Sequence, residues 1–328
     1  MGQTLSEPNT TKATTSCRNS KFEVTSSCMQ GWRVNMEDSH TKILSLPDDA
    51  DASFFGVYDG HGGKLIAEYA GKHLHKYITN RKEYKDGDIV EALKQGFLEL
   101  DNAMANEESL KKEPSGTTAV TVIIKDNQLY CANVGDSRAV ASIKGIAHPL
   151  SKDHKPCDKQ EYDRILAAGG WVDCNRVNGN LALSRALGDY VFKKNPNKKP
   201  EEQIVTAYPD VTVHTITPDW DFIILACDGI WDVMENSEVV DHVRRSIVHG
   251  LEPAEICENL MMSCLAPDLR MAGLGCDNMT VVLIILLHDT DYEQLKYKFD
   301  AYEPEDILCY PDKLFLDSEN NLVYDPDL

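Results

Sequence analysis

At 328 residues, 42% hydrophobic and 26% charged, the chain is long enough to bury one large core or two. Its formal net charge of −20 excludes a general nucleic-acid binder, which needs a cationic face for phosphate backbones, but leaves room for local cationic spots that meet a phosphorylated substrate. The ten cysteines lack Cys-x-x-Cys spacing, which fits reduced thiols in a cytoplasmic or nuclear protein rather than a disulfide scaffold or zinc site.

In chain order, Met1-Gly2-Gln3-Thr4-Leu5-Ser6 matches the N-myristoylation pattern with Gly2 as acceptor. A chance match in a flexible leader is the alternative. One acyl chain gives only marginal, reversible membrane association, and no polybasic cluster adds to it. Residues 1–20 are polar, rich in Thr and Ser and without periodicity, and read as disordered. Phe22 to Met29 alternates as a first strand, Gln30 to Asp38 is polar and acidic, and Ile43 to Leu46 reads as a second strand. Phe54 to Tyr58 is a short buried strand that runs into Asp59-Gly60-His61-Gly62-Gly63. Helical spacing follows through Leu65, Ile66, Tyr69, Ala70, Leu74, Tyr77 and Ile78, and again through Ile89, Leu93, Phe97, Leu100 and Met104.

The period then changes to two. Thr118 to Lys125 and Gln128 to Asn133 flank Asp126-Asn127, a two-residue hairpin turn; Ser137 to Ile143 is expected to continue this meander. Asp158 to Ala168 reads as a helix ended by Gly169-Gly170. Trp171 to Tyr208 is irregular and polar, and its Lys193, Lys194, Lys198 and Lys199 either attract phosphorylated segments or are simply solvated. Phe222 to Cys227 is an apolar strand; Ser237 is expected to cap one helix and Pro253 to open another. Met279 to Leu287 is a last core strand, far too short to span a bilayer. Asp289 to Leu328 carries 12 Asp/Glu against 3 Lys/Arg and reads as an acidic appendage without clear helices. Strands and helices do not alternate regularly, so the fold class is α+β with antiparallel sheets rather than doubly wound.

Four Asp residues stand at ends of apolar strands: Tyr58-Asp59-Gly60, Val134-Gly135-Asp136, Cys227-Asp228-Gly229 and Cys276-Asp277-Asn278. Each alone is common turn chemistry. Together with Glu37 and Asp38 they suggest a rim of carboxylates that needs cations, and oxygen ligands select hard ions such as Mg²⁺ or Mn²⁺.

These segments, with Arg33-Val34-Asn35-Met36-Glu37-Asp38, Ser115-Gly116-Thr117-Thr118-Ala119, Leu183-Ser184-Arg185-Ala186-Leu187-Gly188-Asp189 and Asp228-Gly229-Ile230-Trp231-Asp232, resemble the type 2C (PPM) metal-dependent serine/threonine protein phosphatases. The resemblance runs from about Phe22 to Leu287 in motif order, and the Gly2 pattern is similar to the family's animal alpha and beta forms. It implies a central β-sandwich of two antiparallel sheets, each flanked by a pair of helices, in a catalytic domain over 21–288 between the leader and the 289–328 extension. It implies a binuclear Mg²⁺ or Mn²⁺ centre with Asp59 bridging and the Gly60 carbonyl, Asp228 and Asp277 as further ligands. Glu37 would act through water and Asp38 in the water network, while Asp136 and Asp232, with Asp228, would hold a weaker third ion. Arg33 would grip the substrate phosphate, the alternative being an ion pair with Glu37. His61 would protonate the leaving oxygen, the alternative being a buttress to Asp59. Arg185 is expected to be structural. Phosphoprotein substrates, no nucleic acid and a monomer complete the expectation. A pseudophosphatase would have lost metal carboxylates that this chain keeps, and a hydrolase of small phosphoesters would share the same chemistry.

Overall fold

The computed structural model describes residues 4–110, 113–269, 273–288, 290–300, 314–316 and 322–324. Gly2 and its acylation pattern lie outside them. Thr4–Arg18 (β1) and Phe22–Arg33 (β2) open the chain as an antiparallel pair. The leader is therefore a strand, not a disordered tail. It escapes a periodicity reading because it is a polar edge strand whose threonines and serines pair across the ladder: Thr14 with Ser27 and Ser16 with Thr25, each at 2.8 Å.

Ser39–Ile43 (β3) pairs with Ser53–Tyr58 (β4) from Ser39↔Tyr58 to Ile43↔Phe54. The strand thus ends where the sequence reading began it, because this register selects the earlier segment and Leu46 turns tightly onto Asp49. The short Gly60–His61 (β5) precedes Leu65–Thr79 (α1), Lys82–Lys85 (α2) and Ile89–Asn106 (α3). Asp88 caps α3 by accepting from the Glu91 N–H at 3.0 Å. Gly116–Thr117 (β6), Ala119–Lys125 (β7) and Gln128–Val134 (β8) follow. Asp126 and Asn127, at φ 50° and 59°, make the expected hairpin turn.

Arg138–Ile143 (β9) does not continue the meander. It pairs with Ile146–Pro149 (β10) in the sheet that holds β1 and β2, after the chain turns at Gly135, φ +99°. Lys159–Ala167 (α4), the pair Val172–Asp173 (β11) and Arg176–Val177 (β12), Leu187–Gly188 (β13) and Asp210–Thr215 (β14) come next. Then follow Trp220–Ala226 (β15), Asp228–Trp231 (α5), Asn236–Val248 (α6), Pro253–Cys264 (α7), Met279–Leu286 (β16) and Tyr292–Asp300 (α8). Leu314–Leu316 (β17) pairs with Leu322–Tyr324 (β18). Glu235, not Ser237, caps α6: Glu235 and Glu238 form a reciprocal capping box, and Ser237 sits inside the first turn. Pro253 opens α7 as its spacing predicts.

The chain divides into two units. One comprises residues 1–35, 140–149 and 217–328, the other 36–139 and 150–216. The first holds the six-stranded sheet in the order β1-β2-β16-β15-β9-β10. Its core joins Phe222, Ile224, Leu283 and Ile285 to Val239, Val243 and Ile247 of α6 and Ile256 and Leu260 of α7. Tyr292, Leu295 and Phe299 of α8 belong to the same core, so the acidic extension begins as a core helix. The second unit holds the five-stranded sheet β14-β8-β7-β4-β3, covered by α1 and α3 through Ile66, Leu74, Ile78, Leu93, Phe97 and Leu100. Burying such side chains stabilises by roughly 1.5–3 kcal/mol each. The fold class is α+β with antiparallel sheets. Among the described residues no helix is long and apolar enough to cross a membrane.

Candidate active site

In the five-stranded sheet, register carries several acids to one end. β4 finishes at Tyr58 beside the start of β3 at Ser39 (Ser39↔Tyr58), so Glu37-Asp38 and Asp59 become neighbours. β7 starts beside the finish of β8 (Ala119↔Val134), which brings Asp136 to the same end. A carboxylate oxygen of Asp38 and one of Asp59 lie within 4.8 Å of each other. The Asp59 backbone is fixed on both sides. Its N–H donates to Thr118 Oγ1 at 3.1 Å, and its carbonyl accepts from the Thr118 N–H at 2.9 Å and Thr117 Oγ1 at 3.0 Å. Gly60 has no room for a side chain, since a Cβ there would stand 2.2 Å from the Glu37 carbonyl oxygen. Glu37 accepts from the Gly63 N–H at 3.1 Å.

His61 Nε2 lies 2.6 Å from Asp189 Oδ2. Burial alone would lower the imidazole pKa. The Asp189 hydrogen bond and the charges of Asp189, Asp136 and Glu37 reverse that and raise it above its usual value. Asp136, 5% exposed, accepts from Lys155 Nζ at 2.5 Å. Behind it, His154 Nδ1 accepts from the Gly135 N–H at 3.2 Å while Nε2 faces Asp210 Oδ2 at 3.2 Å. Arg185 is buried as a structural ion: it donates to Glu161 and, at 2.7 Å, to Asp210, in line with the sequence reading. Lys193 is not simply solvated. Its ammonium sits 2.8 Å from Asp101 Oδ2, buried against α3. Lys194 and Lys199 remain exposed, and Arg176 donates to the Asn180 carbonyl at 2.8 Å.

In the six-stranded sheet, β15 and β16 pair from Phe222↔Ile285 to Ala226↔Val281, which puts Asp228 and Asp277 at the same end of adjacent strands. Met29↔Met279 brings the end of β2, with Arg33, to that end too. Asp228 heads α5, and Asp232 follows its last residue, donating its N–H to the Asp228 carbonyl at 2.8 Å. Arg33 Nη2 donates to Asp277 Oδ2 at 2.5 Å, so the pairing with Glu37 that the spacing allowed gives way to one with Asp277. Asn278 Nδ2 donates to the carbonyls of Gln30 at 2.8 Å and Asn35 at 2.9 Å, tying down the segment that carries Arg33. Gly31, φ +64°, lets the Asp277 carbonyl pass where a Cβ would be 2.6 Å away.

Sequence reasoning missed Asp189, Lys155 and Asp101 as neighbours of site residues. The Asp189 signal was its place in a quoted motif; Lys155 and Asp101 carried none.

Carboxylates gathered at the strand ends of each sheet are oxygen donors of the kind that hard cations use. The protein phosphatase 2C family matches residues 22–271, and the chain belongs to it. A probable protein phosphatase 2C of Caenorhabditis elegans is 60% identical over 288 residues, covering 88% of this chain and 81% of that protein. Protein phosphatase 2C homolog 3 of Schizosaccharomyces pombe is 52% identical over 315 residues, covering 95% and 76%. Among solved structures, a phosphatase from a pathogenic strain of Toxoplasma gondii superposes with a TM-score of 0.72 at 27% identity, covering 84% of this chain and 96% of that one. The chain is thus a metal-dependent protein serine/threonine phosphatase acting on phosphoproteins.

Proposed function

We propose that the protein hydrolyses phosphoserine and phosphothreonine by direct attack of water at a centre of two Mg²⁺ or Mn²⁺ ions. In one unit Asp59 and the Gly60 carbonyl would be ligands, with Glu37 acting through water, Asp38 in the water network and Asp136 serving a weaker third ion; in the other, Asp228 and Asp277 would be ligands and Asp232 would serve the third ion. The observation that carries this reading is the approach of the Asp38 and Asp59 carboxylates to within 4.8 Å, a repulsion that a bound cation would relieve. The donor set fits hard ions, being all oxygen, and the side-chain-free Gly60 lets its backbone approach closely. When bound, such ions neutralise phosphate charge and acidify water.

The remaining work falls to the chain. Arg33 grips phosphate oxygens with its planar fork, and its contact with Asp277 together with the Asn278 ties supports that placement. His61 supplies the proton to the departing oxygen. Myristoylation of Gly2 and a cytoplasmic, partly nuclear residence extend the proposal; intact-mass spectrometry of protein from a eukaryotic host tests the lipid.

The experiment is phosphate release from a phosphothreonine peptide by the purified chain. Activity with Mn²⁺ or Mg²⁺ that is abolished by chelation and by Asp59→Asn is expected. A folded protein that binds the ions and releases no phosphate refutes the reading.

A further inference from the structure

His61 and Asp189 are 128 residues apart and meet through a sheet only two residues deep. β6 lies between β5 and β13: His61 pairs with Gly116, and Gly116 with Gly188. The His61 ring and the Asp189 carboxylate therefore meet beside a position without a side chain. A Cβ on Gly116 would stand 2.1 Å from Asp189 Oδ2 and 2.6 Å from His61 Nε2.

Asp189 is 5% exposed and has φ +51°, a left-handed conformation uncommon outside glycine. A frame holds it there. Its N–H donates to the Ser115 carbonyl at 3.2 Å, and the preceding Gly188 N–H donates to Asp101 Oδ1 at 2.8 Å. Lys193, four residues on, clamps the same Asp101 carboxylate at 2.8 and 2.9 Å and reaches back to the Ala186 carbonyl at 2.8 Å. The pair of Asp101 on α3 with Lys193 thus fixes the segment on both sides of Asp189.

We propose that Asp189 is a positioning residue for the phosphatase reaction: it holds His61 through Nε2–H and thereby presents Nδ1 as the nitrogen that protonates the leaving serine or threonine oxygen. This rests on the phosphatase reading above. A carboxylate only accepts, so the ring hydrogen facing it is on Nε2, and that bond selects the tautomer. In the step, the water oxygen bonds to phosphorus and releases a proton to solvent, while the bond from phosphorus to the leaving oxygen breaks and its electron pair stays on that oxygen. The Nδ1 proton transfers to it, and the neutral ring keeps Nε2–H on Asp189.

The test combines a spectroscopic and a kinetic arm on the full chain. Ring ¹⁵N NMR, with His61 assigned by His61→Ala, is expected to show the Nε2–H tautomer in the neutral ring, and Asp189→Asn is expected to lose it with circular dichroism unchanged. With Mn²⁺, Asp189→Asn is expected to lower kcat on a phosphothreonine peptide at least tenfold more than on p-nitrophenyl phosphate, whose leaving group needs no proton. On a His61→Ala background the same change is expected to have no further effect on either substrate. An Nδ1–H tautomer in the wild type, equal losses on both substrates, or independent losses in the double variant overturns the proposal. The wild-type tautomer decides it even where Asp189→Asn fails to fold. Wild-type protein inactive on both substrates overturns the phosphatase reading itself, whereas an active protein with the wrong tautomer overturns only the role of Asp189.

Discussion

Replacing Lys298 by Met tests whether the acidic extension is part of the core. Asp221 on β15 is fully buried, and it accepts from Ser142 Oγ and the Gly145 N–H, each at 2.9 Å. Lys298 on α8 brings an ammonium to 2.7 Å of its other oxygen, with the lysine side chain 30% exposed. Stripping the partner from a buried ion pair costs about 3–5 kcal/mol. Two donors remain on Asp221 and water reaches the lysine side, so about 2 kcal/mol is the reasoned loss for Lys298→Met. Phe299 stays edge-on to Phe222 at 6.2 Å between ring centroids, so the change is electrostatic rather than a loss of packing. Urea unfolding of Lys298→Met, Asp221→Asn and the double variant is the assay. The double variant is expected to recover at least half of the Lys298→Met loss, because the stranded charge is gone. A Lys298→Met protein within about 0.5 kcal/mol of wild type, the range of an ordinary surface substitution, would refute the argument.

Two further outcomes follow from buried charges. Burial on α6 pushes His242 down to about 4 from an unfolded value of 6.5. The unfolded chain therefore binds this proton first as pH falls, and stability drops between pH 6.5 and 4 by about 1.4 kcal/mol per unit of separation, some 2 kcal/mol by pH 5; His242→Leu is expected to flatten that stretch of the urea-midpoint profile, and an unchanged slope counts against the assignment. Although burial opposes ionisation, Arg185, Arg164 and Ser184 hold the Glu161 carboxyl at about 2, so its stabilisation is complete above pH 4.5 and lost as pH falls toward 2. Glu161→Gln leaves the buried Arg185 with Asp210 alone and strips the half-buried Arg164 of its carboxylate, and is expected to cost about 3 kcal/mol in the same assay; a loss below 1 kcal/mol would show the network to be dispensable.

Asp59, Asp136, Asp228 and Asp277 were legible because each stands at the end of an apolar strand beside a residue of turn chemistry, a local signal. β1 was not, because an edge strand with polar partners needs no apolar alternation. α8 carried its signal in Tyr292, Leu295 and Phe299, spaced as one helical face, but the excess of 12 acids over 3 bases in the whole extension masked it. Ser137–Ile143 read correctly as a strand and wrongly as a neighbour of β8, since alternation fixes a strand and not its sheet.

The side-chain partners are a different matter. Arg33 could be assigned a phosphate-gripping role from its motif, with Glu37 as the alternative partner that four-residue spacing allowed, and the folded chain pairs it with Asp277, which register alone brings near. Lys155 and Asp101 have no local pattern that marks their partners. Gly116 is the instructive case. In sequence it is one glycine among 20, and its motif says only that the backbone there is special. Its physical role is an absence: without a Cβ, His61 and Asp189 close to 2.6 Å beside it, and with one they cannot. Gly116→Ala leaves every polar group of the dyad in the chain and removes only the space between them. A loss of activity from that change, matching the substrate split of Asp189→Asn, would trace the chemistry of His61 to the missing side chain of a residue that touches no substrate.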